Sequence, residues 1–245
     1  MMDKVLIMVS TYNGGKYLPD QLDSLYGQKG VECHLLVRDD GSKDNTLNIL
    51  QDYKKRHGNM TILQGGNLGV GGSFRALIND AVKNHSEFDY FAFCDQDDVW
   101  LENKVSECVK YLESVDFIVH KKNCFDSDSR KIVKTDDDIQ LPDTWLHNIF
   151  HMKLFGCCMA FNRKLLNIAI PFPHRLIGHD YWISSLAIRF LSCDVINEPL
   201  INYRLHSDAV SQGKHKSIIY KISYRLQLYK QILQRIKKQK QRKII

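Results

Sequence analysis

Four short, nearly continuous apolar runs, at residues 5–9, 33–37, 60–63 and 90–94, each close in a polar turn, and a helix-patterned segment separates each from the next. Strands that are apolar along their whole length are buried on both faces, unlike the alternating strands of a sheet with one wet side. Runs of this kind interleaved with helices predict an α/β fold, with a Rossmann-like, mostly parallel central sheet, flanking helices and right-handed crossovers. The crossover helices are legible in Leu18, Leu22, Leu25 and Tyr26, then in Leu47, Leu50 and Tyr53, with a third expected over residues 73–84 after a glycine-rich turn at 65–69. Ligands of such sheets bind beyond the carboxyl ends of the strands. The clusters Thr11-Tyr12-Asn13, Asp39-Asp40 and Asp95-Gln96-Asp97-Asp98 all fall at those ends and are expected to line one crevice.

The last cluster carries the most chemistry. Three carboxylates within four residues follow the run Tyr90-Phe91-Ala92-Phe93-Cys94. On an extended chain Asp95 and Asp97 point the same way, and like charges that close repel unless a cation relieves them. An all-oxygen site suits Mg²⁺ or Mn²⁺, which keep waters and recruit substrate phosphates. An acidic turn with Asp98 capping the next helix is the plainer reading. Asp39-Asp40-Gly41-Ser42 is likewise open: an ordinary turn, or carboxylates that accept hydrogen bonds from a nucleobase or ribose. Gly66 and Gly71 have phosphate-loop spacing, but Gly72 stands where the lysine is required and the loop follows the third strand, so a Walker-type site is excluded. In Gly178-His179-Asp180-Tyr181-Trp182, Asp180 is either a helix-start residue or a general base. His206, after Tyr203-Arg204-Leu205, is a surface or packed histidine unless its loop folds back onto the acidic cluster.

The rest of the chain is less regular. Residues 102–114 and 180–191 read as helices; 117–120, 154–161, 193–196 and 201–203 read as strands; the acidic stretch 125–138 reads as a hairpin or loop. Seven cysteines, scattered without paired spacing, fit reduced thiols in a cytoplasmic protein, and Cys157-Cys158 read as core. No apolar stretch is long enough to cross a bilayer, and the N-terminus lacks a signal-peptide pattern.

Taken together, the segments Val9-Ser10-Thr11-Tyr12-Asn13-Gly14, Arg38-Asp39-Asp40-Gly41-Ser42, Asn67-Leu68-Gly69, Phe93-Cys94-Asp95-Gln96-Asp97-Asp98-Val99-Trp100, His179-Asp180 and Tyr203-Arg204-Leu205-His206 resemble a family 2 glycosyltransferase of the GT-A fold. The likeness spans residues 4–212 and is nearest to the bacterial group that builds rhamnose- or hexose-containing surface polysaccharides. It implies that Thr11, Tyr12, Asn13, Asp39, Asp40, Asn67 and Gly69 hold the donor nucleotide. Asp95, Asp97 and His206 would hold Mn²⁺ or Mg²⁺, with Asp95 also against the donor, and Gln96, Asp98 and Trp100 would shape the donor pocket. Asp180 would be the base of an inverting transfer from a UDP- or dTDP-sugar to a lipid-linked saccharide. The Gln-x-x-Arg-Trp signature of processive members is absent, which implies one sugar per acceptor visit. A catalytically silent sugar-nucleotide-binding protein is the alternative.

Net charge is +6, but eleven of the 34 Lys and Arg and none of the 28 Asp and Glu lie in residues 214–245. A division into a catalytic body (1–212) and a basic amphipathic helical tail (213–245) follows. Ile219, Ile222, Leu226, Tyr229, Leu233 and Ile236 form one predicted apolar stripe on that tail. It is suited to the anionic inner face of a membrane, to the body, or to a second copy; nucleic acid is not expected as a partner.

Overall fold

A computed structural model describes residues 2–151, 154–173, 178–207 and 217–242. Strand β1 (Lys4–Thr11) lies between β2 (Glu32–Asp39) and β4 (Tyr90–Cys94), with β3 (Met60–Gln64) outside β2, all four parallel. Leu6, Ile7, Met8 and Val9 on β1 are entirely buried, as a strand covered on both faces must be. The crossovers are α1 (Leu18–Tyr26), α2 (Thr46–His57) and α3 (Gly69–Asn84). On α3, Phe74, Leu77, Ile78 and Ala81 bury one helical stripe against the sheet.

Beyond β4 the sheet changes sense. Its order is β3-β2-β1-β4-β8-β6-β9-β5, with β8 (Met159–Asn162) antiparallel to both β4 and β6 (Phe117–Asp126). Next, β9 (Cys193–Leu205) runs parallel to β6, and the two-residue β5 (Val99–Trp100) pairs antiparallel with β9. The expected hairpin at 125–138 is present: β7 (Ile132–Thr135) folds back on β6. Helices α4 (Lys104–Leu112), α5 (Trp145–His151), α6 (Arg163–Ala169) and α7 (His179–Phe190) complete the body. A sheet of this α/β form, parallel in its first half and flanked by helices, is the architecture the sequence predicts.

Several local expectations are corrected. Residues 193–196 and 201–203 are one strand, because a bulge opposite Lys121 takes up the Pro199 region without ending the pairing. Residues 154–161 are not one strand; Gly156–Cys158 form a 3₁₀ turn before β8. Helices α5 and α6 are seven residues each, too short to leave a periodic signal. Helix α3 starts at Gly69, four residues earlier than expected, inside the glycine-rich turn.

The boundary at 212/213 lies outside the described residues, but the tail beyond it is helical as expected: α8 (Ile218–Arg242). Its predicted stripe is corrected. Tyr229, Leu233 and Ile236 pack on the body, whereas Ile219, Ile222 and Leu226 are exposed. The face that seats the helix is a different one, Tyr224, Leu228, Ile232 and Arg235. Trp145 of α5 stacks on Tyr229, and Arg235 donates to the carbonyls of Ile168 in the last turn of α6 and of Ile170 and Pro171 just after it. No helix of the described residues is long and apolar enough to cross a membrane.

Candidate active site

The ends of β1, β2 and β4 converge as the parallel sheet requires, and side-chain to backbone bonds lock the loops together. The Tyr12 amide donates to Gln96 Oε1 at 2.7 Å, and Gln96 Nε2 donates back to the Tyr12 carbonyl at 3.2 Å. Gln96 thus fastens the β4 end to the β1 end. The space this takes explains Gly14: a Cβ there would lie 2.4 Å from Gln96 Oε1. Asn13, at φ 47°, has a left-handed backbone that asparagine tolerates. Its amide donates to Ser42 Oγ (2.9 Å) and its Oδ1 accepts from the Lys43 amide (2.8 Å).

At the β2 end both carboxylates are supplied with donors. Asp39 accepts from the Ser42 amide and hydroxyl and lies beside Thr11 Oγ1. Asp40, 2% exposed, accepts from Arg38 at 3.1 Å and from the Leu68 and Gly69 amides at 2.9–3.0 Å. Asp40 therefore serves the first amides of α3, which is why that helix begins early. Asn67 Oδ1 takes the Gly69 amide as well. Tyr12 is exposed at the mouth of this region, and Leu68 and Val70 flank the loop.

The β4 end is the opposite case. Asp98 is fully buried; among the described residues Oδ1 accepts only the Arg204 amide, at 3.0 Å, and Oδ2 has no partner. Burial first, then the charges of Asp97 and Asp95, push its carboxyl well above the ordinary range. Asp95 is raised to about 7 by burial, by Asp97 and by Asp180. His206 does fold back, as the more specific reading required: its Nε2 lies 3.1 Å from Asp97 Oδ2. Arg204, buried against Tyr17 and Phe125, fixes this turn by donating to the Asp97 carbonyl (2.7 Å) and to Asp20 of α1 (2.8 Å). Sequence reading passed over Arg204; its place two residues before His206 was the available signal.

Asp180 sits in the first turn of α7, and burial raises its carboxyl to about 6. That its charge raises Asp95 places the two in one electrostatic neighbourhood. The preceding Gly178 amide donates to Tyr224 Oη of α8 at 3.0 Å, so the C-terminal helix anchors the residue before this turn. His179 is a packing ring, stacked on Phe74 at 3.7 Å and held neutral by burial, with its acidity shifted to about 3.

Asp95, Asp98 and Cys157 bring ligand atoms within 4.8 Å of one another. A hydrogen bond with Cys158, then burial, pushes the Cys157 thiol well above its ordinary range, and a thiol is a poor ligand for a hard cation. Carboxylate oxygens suit a hard cation better, but among the described residues the expected ligands Asp97 and His206, 3.1 Å from each other, fall outside this cluster. Trp100, expected to shape the donor pocket, lies in the core at 3% exposed, with Lys104 Nζ 3.5 Å above its ring. Lys104 itself is buried and donates to the Cys157 carbonyl at 2.6 Å.

The same architecture is found in solved glycosyltransferases. The Staphylococcus aureus TarS 1–349 structure in complex with UDP-GlcNAc superposes with a TM-score of 0.68 at 20% identity, over 87% of this chain and 62% of that one. The mannosyltransferase PcManGT of Pyrobaculum calidifontis, in complex with GDP-Man and Mn²⁺, gives 0.62 at 17% identity, over 85% and 59%. The chain thus spans about three-fifths of these solved chains. The sequence profile of Glycosyl transferase family 2 matches residues 6–167. The dTDP-rhamnosyl transferase RfbG of Shigella flexneri is 33% identical over 221 residues, 82% of this chain and 72% of that protein. The putative teichuronic acid biosynthesis glycosyltransferase TuaG of Bacillus subtilis is 23% identical over 87% of this chain. The chain belongs to glycosyl transferase family 2.

Proposed function

We propose that this enzyme is an inverting, metal-dependent, non-processive transferase. It moves one sugar from a UDP- or dTDP-sugar to a lipid-linked oligosaccharide in the cytoplasmic stage of surface-polysaccharide (O-antigen or capsule) synthesis. The observation that carries it is the acidic end of β4, onto which His206 folds back to 3.1 Å from Asp97 Oδ2, in a chain of glycosyl transferase family 2. RfbG, named for dTDP-rhamnosyl transfer, supports a deoxythymidine donor and a rhamnosyl group.

Thr11, Tyr12, Asn13, Asp39 and Asp40, with Asn67 and Gly69, would form the nucleotide cradle, in which Asp40 and Gln96 act by holding loops in register. Asp95, Asp97 and His206 would hold the cation. When bound, it supplies charge neutralisation for the donor's diphosphate and for the nucleoside diphosphate as it leaves. Asp180 accepts the proton of the acceptor hydroxyl. The acceptor oxygen forms its bond to the anomeric carbon as the carbon–oxygen bond to the diphosphate breaks on the opposite face, so the configuration inverts. A carboxyl raised to about 6 is ionised at neutral pH yet basic enough to share that proton.

The test is a thermal-shift panel of nucleoside diphosphates and their sugars with Mn²⁺, Mg²⁺ or chelator, followed by transfer assays on positive donors. Metal-dependent stabilisation by a uridine or deoxythymidine diphosphate, with transfer abolished in Asp180→Asn, is expected. Binding without transfer to any acceptor would favour the silent-binder alternative.

A further inference from the structure

Helix α8 has two faces with different fates. The inner one, Tyr224, Leu228, Ile232 and Arg235, is held by the body. The outer one runs Ile219, Ile222, Leu226, Lys230 and Lys237, spacings that keep all five on one side of a helix. All five are exposed, and the three apolar members are strongly so, at 79%, 53% and 49%. Tyr220 and Lys221 are exposed beside them. Helix α5, stacked on α8 through Trp145 and Tyr229, exposes a further apolar pair one turn apart, Leu146 and Phe150.

Charge selects the occupant. Residues 214–245 carry eleven Lys and Arg and no acidic residue. A two-fold pairing of two copies through this face would bring together two segments whose charged side chains are all positive. An anionic bilayer offers hydrocarbon for the isoleucines and leucine and phosphates for the lysines. We infer that the outer face of α8 is a docking surface for an anionic lipid bilayer, with Ile219, Ile222 and Leu226 entering the interface and Lys230 and Lys237 on the headgroups. Through Tyr224 on its inner face the same helix also bonds to Gly178, the residue before the turn that carries Asp180.

The docking surface deepens the lipid-linked reading of the acceptor, but its primary test is independent of transfer chemistry. The full chain is sedimented with phosphatidylcholine vesicles and with vesicles that also contain phosphatidylglycerol. Expected is binding to the anionic vesicles only, weakened by salt. It should fall about tenfold or more in the triple variant I219S/I222S/L226S, and also in K230E/K237E. The triple variant should keep its unfolding temperature and its transfer to a short soluble acceptor, since none of its residues touches the site. No binding of the unaltered chain to anionic vesicles would overturn the inference, as would undiminished binding by both variants. A dimer of the unaltered chain that the triple variant converts to monomer would overturn it in favour of a copy-to-copy interface. Asp180→Asn separates the two claims: loss of transfer with intact vesicle binding leaves docking standing, and retained transfer removes the base assignment without touching it.

Discussion

The β2 and β4 ends each present consecutive or near-consecutive aspartates to the same crevice, and they are built in opposite ways. Asp40 is surrounded by donors: a guanidinium and two helix-start amides. Asp39 likewise takes the amide and hydroxyl of Ser42. At the β4 end, Asp98 keeps a buried oxygen without a partner among the described residues, while burial and the charges of Asp97 and Asp180 raise Asp95. A carboxylate already satisfied by the protein shapes loops. One left among like charges is a standing demand for a cation or a proton. The first end therefore acts as architecture and the second as chemistry, although the sequence writes both in aspartate.

The largest expected effect breaks the chemical end. Asp180→Asn should lower kcat by about 10²–10⁴ while nucleoside-diphosphate binding, read by thermal shift, is kept. A contrast in sign sharpens the comparison. Asp95→Asn should abolish metal-dependent stabilisation and transfer, yet raise the unfolding midpoint in chelator by roughly 2–4 °C, about 1 kcal/mol of relieved repulsion. Asp40→Asn should do the reverse to stability, costing about 1–3 kcal/mol because Arg38 loses its charged partner in a buried place. Equal signs for the two variants would undo the distinction between the ends.

A pH series reads the same contrast. Asp95 and Asp180 have folded acidities raised to about 7 and about 6, so the stability tied to their protonation is complete at low pH and lost as pH rises through those values. In chelator, the unfolding midpoint should fall between about pH 4 and pH 7 and level off above, and the transfer rate should rise through about pH 6 as the base ionises. Asp116, lowered to about 2 by bonds to Asn162, Lys164 and Ser192 that outweigh its burial, stays ionised throughout and adds no slope there. The smallest effect is expected at Tyr224→Phe. Loss of its bond to Gly178 should cost about 0.5–1.5 kcal/mol, seen as a lower unfolding midpoint with the ring contact to Tyr181 retained.

Much of the site was legible because a parallel sheet collects the residues that follow its strands at one edge. Thr11, Asp39 and Asp95 needed only that rule to be brought together. The burial of Trp100 was not legible, because a motif gives neighbours along the chain and not the direction of a ring; β5 pairs with β9 and turns the indole into the core. Arg204 and Tyr224 were missed because their partners, Asp97, Asp20 and Gly178, lie 46 or more positions away.

By itself, the sequence determined the alternating strands and helices, the parallel half of the sheet and the acidic strand end, since continuous burial and helical spacing are local properties of a chain. Only the tertiary structure decided the order β4-β8-β6-β9-β5, the return of His206 to Asp97, and which face of α8 meets the body. Those outcomes depend on pairings across the chain, in which residues with the same local preference compete for one place, and packing and charge select the winner.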